Sequence, residues 1–292
     1  MDLNKSNSSN FFTKTIYFFQ AIKFQESIFA LPFAYIGMIL SIEKLPHFET
    51  FAWITIAMIS ARTFGMATNR IIDNKIDALN PRTSNRHIPK GLLSIKDVLI
   101  PTILSALIFF LSAFQLNLVT LILSPLALVY LTIYPYTKRF TWSANLLLGW
   151  ALAIAPSAGW IAVTGSYNLI PFLLSLAVAL WAGSFDILYH TQDIEFQKKN
   201  HLHSIAKKFG IRNAFIISKV MDFFSMICLL SVGFILELNY LYFFGCLSAT
   251  FLMVYKYVLI TPEDLSKMGI AFLRINAFVS TSMLLGTLLA II

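Results

Sequence analysis

Asn69, Asp73 and Asp77 stand four residues apart, and Arg62 precedes Asn69 by seven. At 3.6 residues per turn these positions fall on one stripe of a helix, with a carboxamide and two carboxylates on successive turns. Such a ladder of oxygens suits a hard divalent cation. Mg2+ in particular takes one or two carboxylates and completes its octahedron with water and phosphate oxygens. A second group comprises Asp186, Tyr189, His190, Asp193, Glu195 and Gln197. Asp186 and Asp193 are seven apart and share a face if the helix continues through them. Asp193 stands 120 residues beyond Asp73, so the two groups occupy matching places in the two halves of the chain. This predicts two cation clamps facing one another across a cavity.

Basic residues follow each group. Arg82 and Arg86 come after the first, Lys198 and Lys199 after the second, and Lys138 and Arg139 follow Tyr134-Pro135 between them. Arginine forks and lysine point charges both match phosphate oxygens. Acids and bases on one rim are the pattern expected of a Mg2+–diphosphate site.

The elements that must hold these residues are apolar. Hydrophobic residues make up 58% of the 292 and charged residues 12%, with 27 Phe. A soluble domain carries about 25% charge, so the composition excludes a soluble enzyme, a disordered regulator and a disulfide scaffold. Nine stretches approach the roughly 20 residues that cross a bilayer: 26–42, 50–68, 98–114, 117–134, 145–164, 169–189, 214–236, 240–260 and 270–291. Nearly all Lys and Arg fall in the N-terminal segment and alternate loops, which is the positive-inside pattern with a cytoplasmic N-terminus and an odd span count. The net charge of +8 therefore reads as topology and an anionic substrate rather than nucleic acid. Both long loops, near 69–97 and 190–213, then face the cytoplasm, and the chemistry is expected there. Cys228 and Cys246 lie in apolar stretches and read as buried thiols. The chain 1–292 reads as one transmembrane domain, with 1–20 as a polar cytoplasmic segment, no signal peptide and no obligate protein partner.

At this point the motifs resemble a known family. Asn69-x3-Asp73-x3-Asp77 followed by Arg82, Arg86 and Pro89 is similar to the first signature of the UbiA family of intramembrane prenyltransferases. Asp186-x2-Tyr189-x3-Asp193 followed by Lys199 resembles its second, and Tyr134-Pro135 with Lys138, Arg139 and Thr141 its third characteristic loop. The resemblance implies an all-α fold of nine transmembrane helices around a central cavity, in the cytoplasmic membrane. It also implies Mg2+-dependent transfer of a polyprenyl group from polyprenyl diphosphate to an aromatic acid in respiratory quinone (ubiquinone or menaquinone) biosynthesis. Within the family the chain is most similar to the 4-hydroxybenzoate polyprenyltransferases.

On that resemblance Asn69, Asp73, Asp77 and Asp193 hold Mg2+, and Asp186 supports the site. Arg82, Arg86, Lys138, Arg139 and Lys199 neutralise phosphate or the acceptor carboxylate, and Tyr189 lines the substrate. The catalytic set is Asp73, Asp77, Asp186, Asp193 and Arg139. Gln197 replaces a usual Asp, with Glu195 as the nearby candidate to compensate. The segment Ile22 to Pro32 is closer to relatives of the futalosine route to menaquinone, which makes a naphthoate-type acceptor the alternative. A haem or chlorophyll precursor is a more distant acceptor. A cation-coupled transporter is the reading from another class, with Arg62, Asp222 and Arg274 as its pathway residues. The preferred reading of these three is as ion-paired structural residues lining the central cavity.

Overall fold

The computed structural model describes residues 11–24 and 31–292. Among these the regular structure is entirely helical. In chain order the helices are α1 (Phe11–Ala21), α2 (Leu31–Leu40), α3 (Phe48–Ile72), α4 (Asn74–Leu79), α5 (Ile95–Leu116) and α6 (Leu118–Ile133). There follow α7 (Ala144–Thr164), α8 (Leu169–His190), α9 (Ile194–Lys199), α10 (Ile205–Phe209), α11 (Ile211–Ile235) and α12 (Tyr240–Leu259). Finally α13 (Met268–Ile270) runs through a π-helical turn (Ala271–Ile275) into α14 (Asn276–Ile291).

Among the described residues, seven segments are long and apolar enough to cross a membrane: α5, α6, α7, α8 with its extension to Lys199, α11, α12, and α13–α14. They coincide with the last seven of the nine expected spans. The other two differ for physical reasons. α3 has the length, at 25 residues, but Arg62, Asn69 and Arg70 lower its apolar content. α2 is a ten-residue apolar helix, and residues 26–30 of its expected span lie outside the described residues. The expected polar segment 1–20 also differs in its second half. Residues 11–20 belong to α1, whose Phe18 and Ala21 pack with Ile22 against Ala67, Ile88, Leu93 and Val98.

Helix ends follow local chemistry. The Ser94 side chain accepts from the Asp97 N–H, and Asp97 accepts from Ser94 N–H in return, a capping box that starts α5. Asn117, Asn168 and Asn239 cap α6, α8 and α12 with their side-chain oxygens. Gly165, at φ +63°, ends α7 in the left-handed conformation that glycine adopts without strain.

α8 is buried along most of its length, between α7 and α11. Its Trp181 and Phe185 join Phe33 of α2, Met226 and Leu229 of α11, Tyr242 and Met253 of α12, and Met283 of α14 in the main core. Large apolar side chains on the opposite faces, such as Leu107, Ile122, Phe223, Phe251 and Val258, stand exposed, as expected of surfaces that meet lipid. Without a hydrophobic drive inside lipid, helices associate by close packing of small residues. Gly149 of α7 lies against the Ala179 carbonyl of α8, Gly159 of α7 against the Ala34 carbonyl of α2, and Gly245 of α12 against Gly286 of α14.

A buried ion pair lies away from the loops. Lys256 of α12 donates to Asp222 of α11 at 2.7 Å and to Ser184 Oγ of α8 at 3.3 Å, and the Tyr257 hydroxyl also donates to Asp222 at 2.7 Å. Asp222 is thus the ion-paired structural residue expected from the sequence, although it ties three helices together and does not line the main cavity. Removing one partner of such a pair costs about 3–5 kcal/mol, because the other charge stays buried.

The glycine contacts yield a paired prediction. Gly149→Ala places a methyl on a backbone carbonyl that cannot retreat, and overpacking of this kind costs about 1–3 kcal/mol. Gly65→Ala meets only the Leu131 side chain at 3.5 Å. Thermal unfolding of the purified protein should show a lowered midpoint for Gly149→Ala and none for Gly65→Ala. Equal midpoints would overturn the packing account.

Candidate active site

α3, α6 and α7 enclose a cavity of about 640 Å3 that α8 closes on the loop side. Its apolar walls follow helical periods. On α7 the stripe Ala144, Leu148, Ala151, Ala155, Ala158 and Ala162 faces inward, and its alanines leave the space that larger side chains would fill. Ala144 to Ala162 spans about 27 Å of helix axis, so the channel runs most of the way across the bundle.

One end of this channel is charged. Asp73, Asp77, Asp186 and Asp193 all line it and all are buried, at 1% to 6% exposure. The two groups 120 residues apart in sequence are therefore brought to one cavity. α3 ends at Ile72 and Asp73 sits at the break before α4, yet the four-residue hydrogen bonds continue from Asp73 N–H to Asn69 O (2.9 Å) and from Asp77 N–H to Asp73 O (2.8 Å). Asn69, Asp73 and Asp77 thus keep a common face, with Arg62 farther along it. The second group departs from the expected continuous helix. α8 stops at His190, a 3-10 turn covers Thr191–Asp193, and α9 begins at Ile194. The tighter turn still leaves both Asp186 and Asp193 on the cavity.

Each acid has its own partner. Asp73 accepts from Lys138, and from Arg139 at 3.1 Å. Asp77 accepts from Arg86 at 2.5 Å. Asp193 accepts a two-pronged bond from Arg82, whose Nε donates at 2.9 Å, and a third from Asn80 at 3.1 Å. Arg82 also lies 4.6 Å from the centre of the Tyr189 ring and donates to the Tyr189 hydroxyl at 2.7 Å. Burial by itself would lower the Arg82 pKa. The Asp193 hydrogen bond and the oxygens of Tyr189 and Asp77 outweigh it and raise that pKa above its ordinary value.

Asp186 differs, since its partners are Asn145 Nδ2 at 2.8 Å and His190 Nδ1 at 3.1 Å.

Two expected residues stand apart. Arg139 does not face the cavity. It reaches Asp73 from behind, donates to the Ile72 carbonyl at 2.9 Å and stacks over Tyr136 at 5.0 Å, so it positions Asp73. Lys199 is exposed on α9 and does not line the cavity. Glu195 does not compensate for Gln197, because it points to solvent and pairs with Lys198 at 2.8 Å. Gln197 is buried and accepts from Ser204, the cap of α10, at 2.5 Å, which ties the loop together.

Sequence reasoning missed three residues. Asn80 bridges the Arg82 backbone and Asp193. Asn145 holds Asp186 and His190 and accepts the Ile205 N–H at 3.1 Å. A polar residue in the first turn of an otherwise apolar helix was the available signal for it. Phe272 lies in the π-helical turn, with its ring 4.3 Å from that of Tyr189. A π turn shifts side-chain register and often marks a functional site, but apolar sequence gives no warning of one. Arg274, in the same turn, does not line the cavity.

Asn145→Leu should strand the Ile205 N–H and remove a donor from Asp186. Each buried group left unmet costs about 1–3 kcal/mol. The measurable result is a lower melting temperature of the purified protein, and an unchanged one would refute the bridging role.

Comparison with known proteins agrees with this geometry. The model of the UbiA prenyltransferase family matches residues 30–281. A 4-hydroxybenzoate octaprenyltransferase of Escherichia fergusonii is 31% identical over 225 residues, covering 77% of each chain. That of Vibrio cholerae is 29% identical over 255 residues, 87% of this chain and 89% of the other. Among solved structures, a UbiA homologue from Aeropyrum pernix superposes with a TM-score of 0.82 at 27% identity, covering 89% of this chain and 97% of that one. A homologue from Archaeoglobus fulgidus bound to DMAPP and Mg2+ shares the fold at a TM-score of 0.66 and 16% identity, over 91% of this chain and 98% of that one.

Proposed function

The chain belongs to the UbiA prenyltransferase family, and from that premise we propose that this membrane enzyme moves a polyprenyl group from its diphosphate to the ring of a 4-hydroxybenzoate-type acid in respiratory quinone synthesis. The observation that carries this reading is the single cavity with an acid–base head and a long apolar body. The head suits a diphosphate and the body suits its tail. The distribution of basic loops supports a cytoplasmic position for the charged end.

The donor set fits Mg2+. Hard oxygens of Asn69, Asp73, Asp77 and Asp193 line one space. Among the described residues no three acidic or histidine side chains form a closed cage, and Mg2+ needs only one or two carboxylates when phosphate supplies further oxygens. Bound there, Mg2+ would neutralise diphosphate as a leaving group.

The protein's residues do the rest. Arg82, Arg86 and Lys138 exchange part of their carboxylate contact for phosphate oxygens. Their fixed charges stabilise the negative charge that builds as the allylic C–O bond breaks. The apolar, aromatic walls keep water from the allylic cation, and Tyr134, Tyr189 and Phe272 line the cavity in which it forms, where aromatic rings stabilise positive charge. The cation bonds to the ring carbon beside the acceptor hydroxyl, and the ring proton leaves to a base in the cavity.

Membranes supplied with geranyl diphosphate and 4-hydroxybenzoate test this. Asp73→Asn and Asp193→Asn should each reduce product by about 10²-fold or more, and chelation of Mg2+ should abolish turnover until the metal is restored. Near-normal turnover in both variants would sink the metal-clamp reading. Use of a naphthoate-type acid in preference to 4-hydroxybenzoate would move the acceptor to the menaquinone branch.

The channel makes a separate prediction. Ala158→Phe plugs the body about 20 Å from Asn145 along α7. Conversion of long-chain donors should fall while that of geranyl diphosphate persists. Equal loss for every chain length would argue against the tail lying along α7.

A further inference from the structure

A second cavity of about 310 Å3 lies between α1 and the loop that follows α4. Gln20, Asn85 and His87 line it alone, while Arg82, Arg86 and Tyr189 line both this cavity and the main one. The two spaces therefore share a wall. That wall contains the two arginines that clasp Asp193 and Asp77.

The second cavity is built and basic. Arg70 donates to the Ala21 carbonyl at 2.8 Å, Gln20 and His87 share a hydrogen bond at 3.1 Å, and the Tyr17 and His87 rings lie 5.4 Å apart. Lys14 pairs with Asp97 at 2.9 Å and fastens α1 to the start of α5. No acid is among the described residues that line the cavity. The local field shows at His87, where burial and then the charges of Arg70 and Lys90 lower the imidazole pKa. The outer face of α1 carries exposed Phe11, Phe12, Ile16 and Phe19, the composition of a helix that rests in a membrane interface. The cavity thus opens beside the bilayer surface, on the loop side.

The two substrates face different problems of access. The prenyl tail can enter from lipid. An ionised aromatic acid cannot, since a bare carboxylate in hydrocarbon is costly. It needs a route from water, and a cleft lined by one sign of charge raises the local concentration of the opposite sign. A space of about 310 Å3 stands at the small end of ligand pockets, which begin near roughly 300 Å3. It suits one aromatic acid and no polyprenyl chain. We propose that this second cavity is the docking vestibule of the anionic aromatic acceptor, which passes from it between Arg82, Arg86 and Tyr189 into the main cavity. The inference rests on the acceptor being an aromatic acid, as put forward above.

The double variant Gln20→Glu/Asn85→Asp tests it. Both replacements are isosteric, both sites are exposed, and neither belongs to the diphosphate site. The full chain is assayed in membranes at low ionic strength, with geranyl diphosphate and 4-hydroxybenzoate varied separately. The KM for 4-hydroxybenzoate should rise by about 3- to 10-fold and return toward the wild-type value in high salt. Turnover number and the KM for geranyl diphosphate should stay unchanged. An unchanged KM for the acid overturns the proposal, as does an equal rise in both KM values. Weakened inhibition by inorganic diphosphate with no effect on the acid also overturns it, because the cavity is then an exit for product.

Calorimetric binding of 4-hydroxybenzoate to purified protein gives a reading independent of turnover. Weaker binding by the variant supports the vestibule even where the wild type fails to prenylate the acid, and equal binding refutes it. Failure of wild-type turnover by itself counts against the acceptor reading and not against the vestibule.

Discussion

Four carboxylates buried at one end of an apolar cavity are the constraint on which the rest of this structure depends. An isolated ionised carboxylate out of water is prohibitively costly. Asp73, Asp77 and Asp193 are each held by an arginine or lysine from a different loop position, and Asp186 by Asn145 and His190. The loops are ordered by these bonds as much as by packing. Asn80 links the first long loop to Asp193, and the His203 N–H donates to the Lys138 carbonyl at 2.7 Å to join the other two. Groups that pair with carboxylates in this way are also the groups that pair with phosphate. The same chemistry that makes the acids tolerable underlies the proposed diphosphate site.

The apolar half of the cavity depends on a different economy of space. Small residues at Gly149, Gly159 and Gly245 let neighbouring helices approach to backbone contact, while the alanine stripe of α7 faces inward and keeps a channel open. Close packing on one side of α7 and empty space on the other come from residues of similar size. The difference lies in whether a partner helix sits opposite. α8, held by α7, α11 and the Lys256–Asp222 pair, supplies the rigid face on which Asp186 and Tyr189 are mounted.

Much of the site was legible in the sequence because its spacing is local. Asn69, Asp73 and Asp77 lie on one helical face, and regular hydrogen bonds across the break at Asp73 preserve it. The recurrence of acids 120 residues apart was visible too, though their meeting in one cavity is a tertiary fact. Basic side chains were harder to place, since Lys and Arg are long and loop geometry directs them. Arg139 turned behind Asp73 and Lys199 turned to solvent. Glu195 and Gln197 lie two residues apart on the short helix α9, and opposite faces gave them opposite fates.

By itself the sequence determined an all-helical membrane protein, the seven spans it shares with the structure, and the identity of the acids at the site. These follow from composition and from period, which act over one turn of helix or one crossing of the bilayer. Only the tertiary structure decided which cation clasps which acid, that Asn80 and Asn145 bridge the motifs, that a π turn delivers Phe272 to Tyr189, and that α1 walls a second basic cavity. Each of these joins residues dozens of positions apart through side-chain direction. Direction of that kind is set by the packing of helices on one another and leaves no period in the chain.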